Sequence, residues 1–187
     1  NGDLDHVDFR PLYNSVRDFN AYDGVIIDLR NNGGGNDAIA RKFVESFIAE
    51  ESVFRRIRFR KSDAFDSFTE WTSDMLYPEN SIRYTKPIYV LTNRGVVSSA
   101  EGLTLMLKSM SNVKILGDTT RGSSGNPGQY TLPNNWHIYV SRWQETDLGG
   151  NYIEDLGIVP TQVLNQSDED ISNGRDTMLE AAIRKFN

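Results

Sequence analysis

At 187 residues, 38% hydrophobic and 25% charged, the chain is long enough for one two-layer core and has the composition of an ordinary soluble globular domain. It contains no cysteine, which excludes disulfides, thiol catalysis and cysteine metal sites, and no run of about 18 apolar residues that would span a membrane. A net charge of -6 argues against a nucleic-acid partner.

In chain order, the segment Gly2-Asp3-Leu4-Asp5-His6-Val7-Asp8 is acidic and turn-like, and the chain opens without an initiator methionine, a charged n-region or an apolar h-region. A helix is predicted from Pro11 to Phe19 and a buried strand over 24–29, where Val25, Ile26 and Ile27 are consecutive apolar residues. The strand breaks into Gly33-Gly34-Gly35. Ala40, Phe43, Val44 and Phe47 then recur at helical spacing over 37–49, so the glycine loop lies at a helix N-terminus. Glycines there let the backbone approach a ligand, and the free amides and helix dipole favour a phosphate or an oxyanion; a plain strand–helix turn fits the same pattern.

The basic run Arg55-Arg56-Ile57-Arg58-Phe59-Arg60-Lys61 belongs to a strand over 53–60, read as an edge or surface strand rather than an anion-binding patch, since charges on an edge discourage sheet pairing. The aromatic-rich stretch from Asp63 to Tyr84 reads as irregular. A strand over 87–92 leads through Asn93-Arg94-Gly95 into Val96-Val97-Ser98-Ser99-Ala100-Glu101, and a helix over 99–110 follows, with Leu103, Met106, Leu107 and Met110 on one face. Ser98 therefore stands where a strand turns into a helix. That position exposes a nucleophilic hydroxyl beside free amides, and it equally suits a capping box in which Ser98 and Glu101 satisfy the first amides of the helix. A strand over 113–117, a hairpin of Gln129–Leu132 and Trp136–Ser141 around Pro133-Asn134-Asn135, a polar linker from Asn165 to Arg175 and a helix from Asp176 to Phe186 complete the chain. Alternating strands and helices imply a mostly parallel sheet.

Taken together, these segments resemble the C-terminal processing proteases, the tail-specific serine peptidases (S41) that include the tricorn core and the retinoid-binding repeats of the retina. Asp28-Leu29-Arg30-Asn31-Asn32-Gly33-Gly34-Gly35 is similar to that family's Asp-Leu-Arg-Asn-Asn-Pro-Gly-Gly signature, and Asn93 to Glu101 to its nucleophile motif. Ile115 to Gly122 resembles the strand and loop after the nucleophile helix, and Glu154-Asp155-Leu156-Gly157-Ile158-Val159-Pro160 the segment that closes the domain. The resemblance implies a ClpP/crotonase-like α/β core with a mostly parallel sheet, packed helices and a C-terminal β-hairpin. It implies a serine peptidase that cleaves unstructured or C-terminal protein segments, with Ser98 as nucleophile and the amides of Gly34 and Ser99, or of Gly33 or Gly35 in place of Gly34, as the oxyanion hole.

A serine hydroxyl needs a neighbour that takes its proton. In the Ser–Lys branch of the family a lysine lies in a Phe-Gly-Lys-Gly loop; the corresponding position here is Ser123 in Arg121-Gly122-Ser123-Ser124-Gly125. Lys108 and Lys114 read as solvated charges. His6 and His137 read as ordinary surface or strand histidines. The Ser-His-Glu branch, typified by tricorn, takes its histidine from a segment preceding the PDZ domain, and Glu154 matches the glutamate of that branch. The expectation is a single S41-type core domain over 1–187, a fragment without the N-terminal and PDZ regions of a longer chain. It would use no metal or other cofactor, act on peptide or unfolded protein, and work in an extracytoplasmic setting. The alternative is a noncatalytic peptide- or lipid-binding module on the same fold; a crotonase-type acyl-CoA enzyme is a second rival. A phosphate-binding domain is a third, without a Gly-Lys-Ser/Thr motif to support it.

Overall fold

The computed structural model describes residues 10–62, 64, 66–79 and 83–186. In chain order the elements are α1 (Arg10–Phe19), β1 (Val25–Asp28), α2 (Asp37–Glu45), β2 (Ser52–Phe59), β3 (Thr72–Leu76), β4 (Ile88–Thr92), α3 (Ser99–Lys108), β5 (Val113–Gly117), β6 (Gly128–Thr131), β7 (His137–Val140), β8 (Trp143–Thr146), β9 (Gln162–Val163), α4 (Asp168–Ser172) and α5 (Thr177–Ile183). Among the described residues no helix is long and apolar enough to cross a membrane.

A parallel sheet in the order β1-β4-β5-β9 forms the centre. β1, β4 and β5 are largely apolar because both faces of the sheet are covered along most of their length, and period-two alternation sorts their side chains. Val25, Ile27, Ile88, Val90 and Ile115 join the larger core with Val44 and Phe47 and with Leu105 and Leu107 of α3. Ile26, Tyr89, Leu91 and Leu116 point the other way and meet Leu179 and Ala182 of α5.

The second sheet, β3-β2-β8, is antiparallel. Here the expectation for the basic run is corrected. β2 is the central strand, not an edge; aromatic rings cover Arg55 and Arg58, carboxylates also pair Arg55, and Arg56 points to solvent. Arg55 is buried between the rings of Phe54 and Trp143, while Arg58 lies over Phe68 and Trp71. β3 falls inside the stretch read as irregular, and α4 inside the polar linker. α2 stops at Glu45, short of residue 49, because Ser46 turns its hydroxyl onto Phe43 O (2.6 Å) and Phe47 N–H closes a tight turn on Val44 O (2.9 Å). The hairpin β6–β7 forms with the predicted strands and turn.

Candidate active site

β1 and β4 are parallel neighbours, so the loops leaving their C-terminal ends lie side by side, the usual ligand-binding edge of an open parallel sheet. Side chains lace the two loops together. Asn93 Oδ1 accepts from the amides of Asn31 (3.0 Å) and Gly95 (2.9 Å), and Asn93 Nδ2 donates to Asn31 Oδ1 (3.0 Å). Val97 N–H donates to Asn32 O (3.0 Å), and Ser99 Oγ donates to Gly35 O (2.9 Å). Ser99 thus tethers the glycine loop to the first turn of α3.

Ser98 occupies φ 57°, ψ -128°, a backbone conformation that L residues rarely adopt. Ser98 Oγ makes no capping hydrogen bond, which corrects the capping-box reading. Glu101 does not reach back either. Fully buried, its carboxylate accepts from Thr120 Oγ1 (2.6 Å) and from the amides of Gly122 (2.7 Å) and Ser123 (2.8 Å). The loop held in this way supports the turn, since Ser123 O accepts the Ser98 N–H at 2.8 Å. Ser123 therefore supports the Ser98 turn through its backbone.

Gly34 packs directly under Ser98. At φ +98° a Cβ on Gly34 would lie 2.8 Å from both Ser98 Cβ and Val97 O, so glycine is required by conformation and by space. The Gly34 amide donates to Asn32 Oδ1 (3.0 Å) in an Asx turn, whereas the amides of Gly35 and Ser99 have no acceptor among the described residues. Beside them opens a cavity of about 470 Å³, bounded on one side by Ser98, Ser99 and Gly102 and on the other by Arg55, Trp143 and Glu145.

Sequence reasoning missed this second wall. Glu145 is buried on β8 opposite Ile57 and pairs with Arg55 and with Ser124 Oγ; Arg55 also pairs with Asp74 (2.8 Å), which in turn pairs with Arg41 of α2 (2.9 Å). An ionic ladder thus runs from α2 across three strands to the loop that supports Ser98. The one sequence signal for it was the arginine-rich strand, whose partners come from distant segments.

Glu154 is half-buried and does not line the cavity. It lies behind it, where its carboxylate accepts from Ser124 N–H (3.0 Å) and Ser141 Oγ (3.4 Å). Burial pushes its pKa up, partly offset by the Ser124 amide. His137 sits on the exposed hairpin facing Gln129 and Thr131 (3.1 Å each). Lys108 ends α3 near Asp147 (3.8 Å), Lys114 is exposed on β5, and His6 lies outside the described residues. No histidine or lysine among the described residues lines the Ser98 cavity.

Residues 5–164 match Peptidase family S41. The chain belongs to this family. Among curated S41 relatives, the carboxy-terminal processing protease CtpB of Bacillus subtilis is 26% identical over 146 residues, covering 78% of this chain and 28% of CtpB. The chain therefore spans less than a third of that relative's length. A crystal structure from Parabacteroides merdae superimposes with a TM-score of 0.87 at 30% identity, over 96% of this chain and 57% of the other. Mature CPAF complexed with lactacystin shares the S41 fold at a TM-score of 0.78 and 17% identity, over 95% of this chain and 46% of CPAF. These likenesses agree with the α/β core described above.

Proposed function

We propose that this domain is the nucleophile-bearing core of a serine peptidase acting on unstructured or C-terminal protein segments. One observation carries the reading: Ser98 is held in a strained strand-to-helix turn with its hydroxyl free, next to backbone amides without acceptors. In the proposed reaction Ser98 Oγ attacks the scissile carbonyl carbon as a base takes its proton. The Ser99 amide and one amide of the glycine loop stabilise the oxyanion, either Gly34 once it leaves Asn32 or Gly35 as it stands. Each such donor contributes roughly 3 kcal/mol to the transition state, about 100-fold in rate. The tetrahedral adduct collapses as the base returns its proton to the leaving amine, and water then hydrolyses the acyl-enzyme by the same route.

The base comes from outside the described residues. A histidine is the natural candidate, as in the Ser-His-Glu branch, and Glu154 is the carboxylate to orient it. A PDZ domain elsewhere in the full-length protein and an extracytoplasmic setting belong to the same reading. The second reading, a noncatalytic peptide- or lipid-binding module, is favoured by the lack of a lysine or histidine along the cavity among the described residues. Fluorophosphonate labelling followed by mass spectrometry separates the two. The full-length protein is expected to label at Ser98 and its Ser98→Ala variant to remain unlabelled; an unlabelled Ser98 in the full-length protein would leave the binding module.

A further inference from the structure

One charge on the wall of the Ser98 cavity has no partner among the described residues. Asp37, the first residue of α2, is half-buried and lines the cavity together with Ser98, Ser99 and Gly102, yet its carboxylate enters no ion pair or hydrogen bond there. Capping does not occupy it. Asn36 is the N-cap of α2, and its Oδ1 accepts the Ala38 N–H at 2.9 Å. A first-turn aspartate favours the helix dipole wherever its side chain lies, and here it reaches across to α3: Asp37 Oδ1 stands 3.8 Å from the place that a Cβ on Gly102 would take. Gly102 is one helical turn past Ser98, about 6 Å along α3, and its N–H donates to Ser98 O (3.2 Å). With no side chain at Gly102, the carboxylate faces open cavity one turn from the serine.

The neighbouring cations are already committed. Arg41, one turn further along α2, pairs with Asp74, Lys42 pairs with Glu79, and Arg55 pairs with both Asp74 and Glu145. For Arg55 to turn to Asp37 it would have to abandon Glu145, a buried carboxylate, at a cost larger than a half-exposed pair returns. Of the charged side chains that line the cavity, Arg55 and Glu145 therefore neutralise each other and Asp37 is left in excess. The complement of an unpaired carboxylate on a partly enclosed wall is a cation, which it attracts more strongly than it would in bulk water.

We infer, on the reading that Ser98 is the nucleophile, that Asp37 is a specificity-determining residue and selects a lysine or arginine next to the scissile bond. The roughly 6 Å between Ser98 and the turn that Asp37 faces is about what an extended basic side chain spans from its own backbone, with its apolar stem along the cavity wall and its charge at the far end. Asp37 meets that side chain and none of the reacting atoms, so it governs which peptide is cleaved rather than the bond-breaking steps.

The test uses the full-length protein and quenched fluorogenic peptides capped at both ends, so that side chains alone carry charge, with Lys, Arg, Leu or Glu placed in turn at each position flanking the cleaved bond. At one of those positions Lys or Arg is expected to exceed Leu about tenfold in kcat/KM and Glu to fall below Leu, with the Lys-to-Leu ratio shrinking as salt is raised. Asp37→Asn keeps the shape and should bring that ratio close to one, whereas Asp37→Glu keeps the charge and should retain most of it. General losses of folding or turnover cancel in the ratio, so a purely structural role at the start of α2 would leave it unmoved. Cleavage without a basic preference, or a preference that survives in Asp37→Asn, would overturn the role of Asp37 and keep the peptidase. Anisotropy binding of the same peptides to the Ser98→Ala protein separates the two readings. A Lys preference there that vanishes when Asp37→Asn is added, without cleavage by the unmutated protein, would keep the cation site and overturn the peptidase; neither cleavage nor a Lys preference in binding would overturn both.

Discussion

Gly34 and Glu101 hold the same serine from opposite sides, one by having no side chain and the other by burying a charged one. At Gly34 an alanine would need φ +98° and would press its methyl against Ser98 Cβ and Val97 O. Gly34→Ala is therefore expected to cost about 2 kcal/mol of stability by denaturant titration and to suppress fluorophosphonate labelling of Ser98 in the full-length protein by at least about 100-fold. At Glu101 the carboxylate accepts three hydrogen bonds in a fully buried site. A glutamine keeps the shape but turns an NH2 group toward a donor, leaving at least one buried donor unsatisfied. Glu101→Gln should cost roughly 2–3 kcal/mol and slow labelling of Ser98, because the loop it orders is the one whose Ser123 O holds the Ser98 amide. Equal stability and labelling in Glu101→Gln would show that this loop does not support the turn.

Local elements were legible in the sequence where a single segment carried their whole signal. The glycine loop and the serine turn each join an apolar strand to an amphipathic helix, so their position at the strand ends followed from periodicity alone, and the hairpin was marked by Pro133-Asn134-Asn135. β3, β8 and β9 were not legible. Each is short and takes its definition from a distant partner: Thr72 from Ile57, Trp143 from Phe59, Gln162 from Leu116. For the same reason the ladder of Arg41, Asp74, Arg55 and Glu145 was hidden, and a buried arginine was read as a surface one. The ladder predicts unequal mutant effects. Arg55→Met leaves Glu145 buried without its cation and should cost about 3–5 kcal/mol, whereas Arg55→Met with Glu145→Leu removes both charges and should recover most of that loss. Urea titrations of the single and double variants measure the difference directly.

Across the whole molecule the sheet edge that carries Ser98 is braced from the face opposite α2 and α3. α5 packs Leu179 and Ala182 under β4 and β5, and Asp176, the N-cap of α5, binds Arg30 at the end of β1. Arg30 is shared by two carboxylates: its Nε and Nη2 donate to Asp28 (2.9 and 2.6 Å), and its Nη1 and Nη2 donate to Asp176 (2.8 and 2.6 Å). The hydrogen bonds from Arg30 hold both aspartates below the ordinary carboxylate range. A depressed folded-state pKa contributes stability that is present above the unfolded value, near pH 4, and is lost as pH falls through the folded value. Because Asp28 and Asp176 remain 45% and 36% exposed, solvent screening limits the clamp to about 1 kcal/mol. Arg30→Met is accordingly expected to be less stable than the unmutated domain by about that amount at pH 7, with the gap narrowing below about pH 4 as both carboxylates protonate. Denaturant titrations of the two proteins at pH 7, 4 and 3 measure the gap, and a gap that stayed constant with pH would assign the loss to packing of the arginine stem instead of to its charge.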